Sequence, residues 1–181
     1  MKINLVSDLH LNFEDLTLPG GDVLILSGDI IEAGHLRLAD NAKKDTFIAD
    51  RYRRFINEEL IKYRKVFYVA GNHEHYNNSY DDTHARIRRE LPSHVSLLEA
   101  EAEVYEGVHF FGATLWTDCN KGDPITISTL AQGMADYKVI KHGHSIKVKT
   151  MYGDAYYTSK FTPSFTKGVF HTTVETLKQY L

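Results

Sequence analysis

Three short apolar runs each end abruptly in polar, metal-capable side chains, and this pattern constrains the chain more than any other feature. Ile3-Asn4-Leu5-Val6 runs into Ser7-Asp8-Leu9-His10, and Asp22-Val23-Leu24-Ile25-Leu26-Ser27 ends at Gly28-Asp29. Lys65-Val66-Phe67-Tyr68-Val69-Ala70 ends at Gly71-Asn72-His73-Glu74. Runs this rich in aliphatic and aromatic residues predict strands buried on both faces, as in parallel sheets. Between the second and third runs, the segment from Arg37 to Arg64 carries a helical apolar stripe of Phe47, Ile48, Phe55, Ile56, Leu60 and Ile61. Asp81 to Glu90 predicts another helix, closed by Pro92. The alternation argues for crossover connections and an α/β sheet. Sites in such sheets form beyond the carboxyl ends of the strands. Three clusters on successive strands would therefore share one crevice.

The middle of the chain changes character. Val95–Leu98, Ala102–Tyr105 and Val108–Phe111 read as short strands of a meander, with Glu106-Gly107 as a hairpin turn. Thr114 to Asp118 reads as a loop. Ile127 to Ile140 reads as a helix weakened by Gly133, and Lys141 to Pro163 as loop. Ser164 to Leu181 reads as a last helix with Ser164 as its N-cap. Without repeats or a linker, residues 1–181 are expected to form one domain.

Composition excludes several classes. The chain has 181 residues, a net charge of −3 and 43% hydrophobic residues. It is therefore not a disordered chain, a collagen-like fibre or a strongly basic nucleic-acid binder. One Cys allows no disulfide framework and points to a reducing cytoplasm. No apolar run approaches the roughly 18 residues of a membrane span, and Asp8 arrives too early for a signal peptide.

The chemistry of the clusters is specific only in combination. In an extended segment Asp8 and His10, two apart, would point the same way and could bind one cation. Asp29 has two oxygens and could bridge two metals. Asn72 offers a neutral carbonyl ligand, and His73 a proton donor beside it. Each also has an ordinary reading: a surface pair, a helix N-cap, a Gly-Asn turn.

In that order, Asp8-x-His10, Gly28-Asp29 and Gly71-Asn72-His73-Glu74 resemble the first three motifs of the calcineurin-like metallophosphoesterases. Ser7-Asp8-Leu9-His10-Leu11-x-Phe13, Gly112-Ala113-Thr114-Leu115-Trp116-Thr117-Asp118 and Met134-Ala135-Asp136-Tyr137 are similar to a bacterial and phage subgroup. The resemblance runs from Met1 to Leu181. It implies a two-sheet sandwich flanked by helices, holding a dinuclear centre of Mn, Fe, Zn or Ni. By resemblance Asp8 and His10 bind the first metal, Asp29 bridges, and Asn72 binds the second. His73 contacts the phosphate and protonates the leaving oxygen, while Glu74 orients His73 or its loop. The implied reaction is hydrolysis of a phosphomonoester or phosphodiester.

The resemblance also implies two later motifs, Gly-His or Thr-His and then Gly-His-x-His, supplying three further His ligands. These are missing, so the domain is expected to be incomplete at its C-terminus, with an uncovered sheet edge. Lys141-His142-Gly143-His144-Ser145-Ile146 is the nearest substitute and reads as a surface loop. His75 is expected to line the site without binding metal. His35, His84, His94, His109 and His171 receive structural readings, as do Asp118, Cys119 and Tyr137. An alternative to the enzyme is a non-catalytic or partner-completed remnant holding one ion, its edge covered by self-association or a partner chain. Nucleic acid enters only as a substrate, because Arg51-Tyr52-Arg53-Arg54 and Arg86-Ile87-Arg88-Arg89 fall on helices as solvated faces.

Overall fold

The central layer is a four-stranded parallel sheet in the order β1-β2-β3-β4, formed by Ile3–Val6, Gly21–Ser27, Tyr63–Val69 and Val95–Leu97. It is seen in a computed structural model that describes residues 1–36, 46–143, 146–151, 153–157 and 159–181. Parallel neighbours need long crossovers, which return the chain to the same end of the sheet each time. The polar clusters therefore leave the sheet from one end. β2 and β3 are the buried strands expected. Val23 and Phe67 face one layer, and Leu24, Leu26, Val66 and Tyr68 face the other. β1 departs from expectation. Among the described residues it pairs only with β2, and Ile3 and Leu5 are 44% and 66% exposed, so it is an edge strand with one open face.

The larger core lies between the sheet and its crossover helices. α1, Thr46–Arg54, continues through a π-helical turn, Phe55–Glu59, and a 3-10 turn, Leu60–Lys62. It buries Tyr52, Phe55, Ile56 and Leu60 against β2 and β3; residues 37–45 of the expected stripe lie outside the described residues. α2, Tyr80–Glu90, matches the expected helix and buries Thr83 and Ile87.

On the other face sits an antiparallel hairpin, β5 Glu101–Tyr105 and β6 Val108–Gly112. Its two-residue turn, Glu106-Gly107, has φ of +48° and +76°, the left-handed pair a tight hairpin requires. Phe110 stacks on Phe67 of β3 at 4.2 Å. A Cβ on Gly112 would fall 2.6 Å from Leu98 Cβ, so this glycine sets how closely the layers approach. The architecture is thus the expected mixed α/β arrangement of two sheets flanked by helices. β4 differs, joining the parallel sheet through β3 instead of opening a meander.

Three further expectations are corrected. The helix over 127–140 is two helices, Pro124–Gly133 and Asp136–Val139, because Met134 turns extended at ψ 139°. Part of the expected loop over 141–163 is a hairpin, β7 Ile146–Thr150 and β8 Gly153–Tyr157. The last helix spans Pro163–Tyr180 and is capped by Thr162, not Ser164. The Thr162 hydroxyl accepts from the Phe165 N–H at 3.2 Å.

Candidate metal centre

Backbone hydrogen bonds tie the loops after β1 and β2 together. Asp8 N–H donates to Gly28 O at 3.0 Å, His10 N–H to Asp29 O at 2.9 Å and Leu11 N–H to Ile30 O at 2.9 Å. The loop after β3 is fastened by Glu74, which is fully buried. Its carboxylate accepts from the N–H groups of Gly71 (2.7 Å), Asp29 (3.0 Å), Ile30 (2.7 Å) and Ile31 (3.4 Å), and from the Tyr68 hydroxyl (2.8 Å). Burial pushes the Glu74 pKa up, against the pull of these donors. Asp29 Oδ1 in turn accepts from His73 N–H at 3.1 Å. Glu74 thus holds the loop, as expected, through the backbone on both sides of Asp29 and His73.

The two glycines that close the strands are what make this approach possible. A Cβ on Gly71 would lie 2.1 Å from Asp29 Oδ1, and one on Gly28 would lie 2.9 Å from Gly71 Cα. Gly28 also has φ +85°. Three candidate ligands carry the same left-handed backbone despite having side chains: Asp8 at φ +56°, His10 at +44° and Asp29 at +58°. Such residues are uncommon and concentrate where function requires a strained loop. The segment is therefore not extended, and the alternation that would aim Asp8 and His10 together does not apply.

The structure gathers His10, Asp29 and His73. One potential ligand atom from each lies within 4.8 Å of the others, all half-buried. The His10 and His73 rings meet edge-on at 4.7 Å, and His73 stacks on Tyr76 at 4.2 Å. Two imidazoles and a carboxylate fit a divalent transition metal such as Zn, Mn, Fe or Ni. Asp8 is exposed, its carboxylate taking the Ser7 hydroxyl, and is not part of this group. Asn72 precedes His73, and its Nδ2 donates to Asp136 Oδ1 at 2.7 Å and to the Tyr76 hydroxyl at 3.3 Å.

Beside Asn72 opens a cleft of about 480 Å³ walled by Leu115, Trp116, Met134 and Tyr137. A larger recess of about 610 Å³ lies between Arg88 and Glu103 and holds none of the candidate ligands. His75 does not line the cleft. It is buried, stacked on Tyr80 at 4.6 Å, and desolvation lowers its pKa to about 3. His144 and Ser145 lie outside the described residues. His171 is exposed on the last helix, in keeping with its structural reading. Sequence reasoning missed the contacts of Tyr76 and Asp136. The latter belongs to a quoted motif, but 64 residues separate it from Asn72.

Fold and site together place two imidazoles and a carboxylate, a donor set that fits a divalent cation, beyond the ends of parallel strands. The chain belongs to the calcineurin-like phosphoesterase family, whose model matches residues 1–176. That family is in general one of metal-dependent phosphoesterases. It is 33% identical over 96 residues to an uncharacterised protein of Acanthamoeba polyphaga mimivirus, covering 49% of this chain and 33% of the relative. It is 30% identical over 128 residues to a UPF0046 protein of Caenorhabditis elegans, covering 63% of this chain and 39% of the relative. The matched segments thus span 33% and 39% of the relatives' lengths. Among the described residues no helix is long and apolar enough to cross a membrane.

Proposed function

We propose that this chain hydrolyses a phosphomonoester or phosphodiester at a dinuclear metal centre. The observation that carries the reading is the convergence of His10, Asp29 and His73, from three separate strand ends, within 4.8 Å. In this reading Asp8 and His10 would hold one ion, Asn72 would hold a second and Asp29 would be shared between them. Divalent cations bound there would neutralise charge on a phosphoryl group and acidify water. His73, oriented by its stack on Tyr76, contacts the phosphoryl group and gives a proton to the leaving oxygen. The ester group enters the cleft beside Asn72, where Leu115 and Met134 stand 63% and 40% exposed. Two metals want more donors than these side chains supply, so solvent, substrate or further polypeptide completes the shell. Resemblance of the 7–13 and 112–118 motifs favours the bacterial and phage subgroup, and a single free, buried Cys119 suits a reducing cytoplasm. Nucleic acid would enter only as substrate.

The test uses p-nitrophenyl phosphate and bis-p-nitrophenyl phosphate with Mn²⁺. Turnover should vanish with a chelator and return with metal. His73→Ala should lower kcat by roughly 10²–10⁴-fold with metal still bound. Bound metal with no turnover, or turnover unchanged in His73→Ala, would overturn the enzyme reading.

One observation favours a second reading, in which the chain is a non-catalytic or partner-completed remnant that acts as a binding protein. β1 leaves an edge with Ile3 and Leu5 exposed, a template for pairing with a second copy or another chain. Light scattering decides it: a monomer at micromolar concentration, active alone, rules this reading out.

A further inference from the structure

We propose that Asp136 is a positioning residue that fixes the side-chain amide of Asn72, so that the carbonyl oxygen alone is free to meet a cation. The inference rests on the metal-centre reading above and assigns a role to Asp136 that the reading does not include.

Asp136 is 3% exposed and opens the short helix Asp136–Val139. Its backbone is held there by Ile140 N–H, which donates to Asp136 O at 3.0 Å. The next residue, Tyr137, is anchored through its hydroxyl to Thr166 Oγ1 at 3.1 Å. The Asp136 carboxylate is therefore carried on a fixed support. Its Oδ1 lies 2.7 Å from Asn72 Nδ2. An ionised carboxylate can only accept hydrogen bonds. This settles which end of the Asn72 amide faces it: the NH₂, not the oxygen. The second amide hydrogen is taken by the Tyr76 hydroxyl at 3.3 Å. Both donors of Asn72 are thus used on groups that hold them away from a cation. Oδ1, with its lone pairs, remains as the ligand atom, a neutral oxygen of the kind hard divalent cations accept.

Without the carboxylate, the two ends of the amide become nearly equivalent in shape. A turn about the last side-chain bond would then present NH₂ to the metal, which repels it. Partners that orient a ligand in this way typically contribute 10–100-fold in metal affinity. Asn72 and Asp136 lie on different elements, the loop after β3 and the region after Met134. The contact therefore also fastens the cleft wall to the metal centre.

The experiment is a Mn²⁺ titration of the whole chain, read by the electron paramagnetic resonance signal of free Mn²⁺. Metal-free thermal unfolding serves as the fold control. Asp136→Ala should weaken binding of the second Mn²⁺ by about 10–100-fold. Asp136→Asn, which can still accept from Asn72 but also carries a donor that tolerates the flipped amide, should fall between wild type and Asp136→Ala. In an Asn72→Ala background, Asp136→Ala should have no further effect, because the residue acts only through Asn72. Wild-type-like binding by Asp136→Ala overturns the proposal. So does a loss in Asp136→Asn equal to that in Asp136→Ala, which would mark Asp136 as a direct ligand or a required charge. An additive loss in the double variant also overturns it. Absence of Mn²⁺ binding by the wild-type chain is a different failure: it removes the metal-centre reading itself and this proposal with it.

Discussion

A buried carboxylate that accepts from four backbone N–H groups has no neutral replacement of its own size, because any amide would turn a donor against donors. Glu74 is in that position, and its partners are the backbone of Asp29, Ile30, Ile31 and Gly71 together with the Tyr68 hydroxyl. Glu74→Gln is therefore expected to destabilise the fold by about 2–4 kcal/mol, from lost charge-assisted bonds and orphaned N–H groups. Tyr68→Phe, which leaves the backbone bonds intact, should cost about 1 kcal/mol. Urea unfolding of both variants checks this, and Glu74→Gln at wild-type stability would contradict it. At this scale the sequence was informative for residues whose role is local. Glu74 reads as a loop-orienting group from its place beside His73. The partnership of Asn72 and Asp136 does not read, because proximity across 64 residues is a product of the whole fold.

The strand ends behave as one element, since each loop is fitted against the next. Gly71 is where the fit is tightest: a Cβ there would meet Asp29 Oδ1 at 2.1 Å and Asp29 N at 2.8 Å. Gly71→Ala should therefore displace Asp29, lowering Mn²⁺ affinity at least about tenfold and stability by more than about 2 kcal/mol. Gly107→Ala is the control, at φ +76° with nothing within 4 Å of the added Cβ. It should cost only about 1–2 kcal/mol of backbone strain and leave metal binding unchanged. Equal metal affinity in wild type and Gly71→Ala, by the same titration, would show that the glycine is not needed for the approach. Elements were legible where burial wrote them into the sequence. β2 and β3 are near-continuous apolar runs because both faces are covered. β1 carries the same composition with one face open, so its exposure could not be read from residue types. The β7–β8 hairpin was missed although Ile146-Lys147-Val148-Lys149-Thr150 alternates with period two and Gly153 follows as a turn residue. The Tyr-rich, polar surroundings masked that alternation. The break at Met134 follows Gly133, which reads as weakening one continuous helix but is where the first of two helices stops.

Across the whole molecule, the metal centre stands on a second layer of packing that is itself sensitive to acid. Behind the loop after β3, α2 meets Trp116 and the last helix through His75, Tyr80, His84, Phe161 and Phe165. His84 is held mostly out of water there, and burial, then the charge of Arg88, lowers its pKa to about 4. Glu99 faces it at 3.4 Å, and burial pushes that carboxyl up. The ring of His75 approaches from the other side. The unfolded chain protonates His84 near pH 6.5, and the folded chain only near pH 4. Between those values the unfolded state binds more protons, so stability falls as pH drops below about 6.5 and stops falling below about 4. Glu99 acts in the opposite sense, since its raised pKa lets the folded state take up a proton first. A comparison of variants isolates the His84 contribution. In metal-free protein, the stability of wild type relative to His84→Gln should fall by about 1.4 kcal/mol between pH 7.5 and pH 5.5, tenfold in the folding constant. Denaturant unfolding at the two pH values measures it. A gap that stays constant would mean that His84 is protonated as readily in the folded chain as in the unfolded one. The aromatic layer would then be open to water, and the support it gives to the loop carrying Asn72 and His73 would have to come from Glu74, Tyr76 and Asp136.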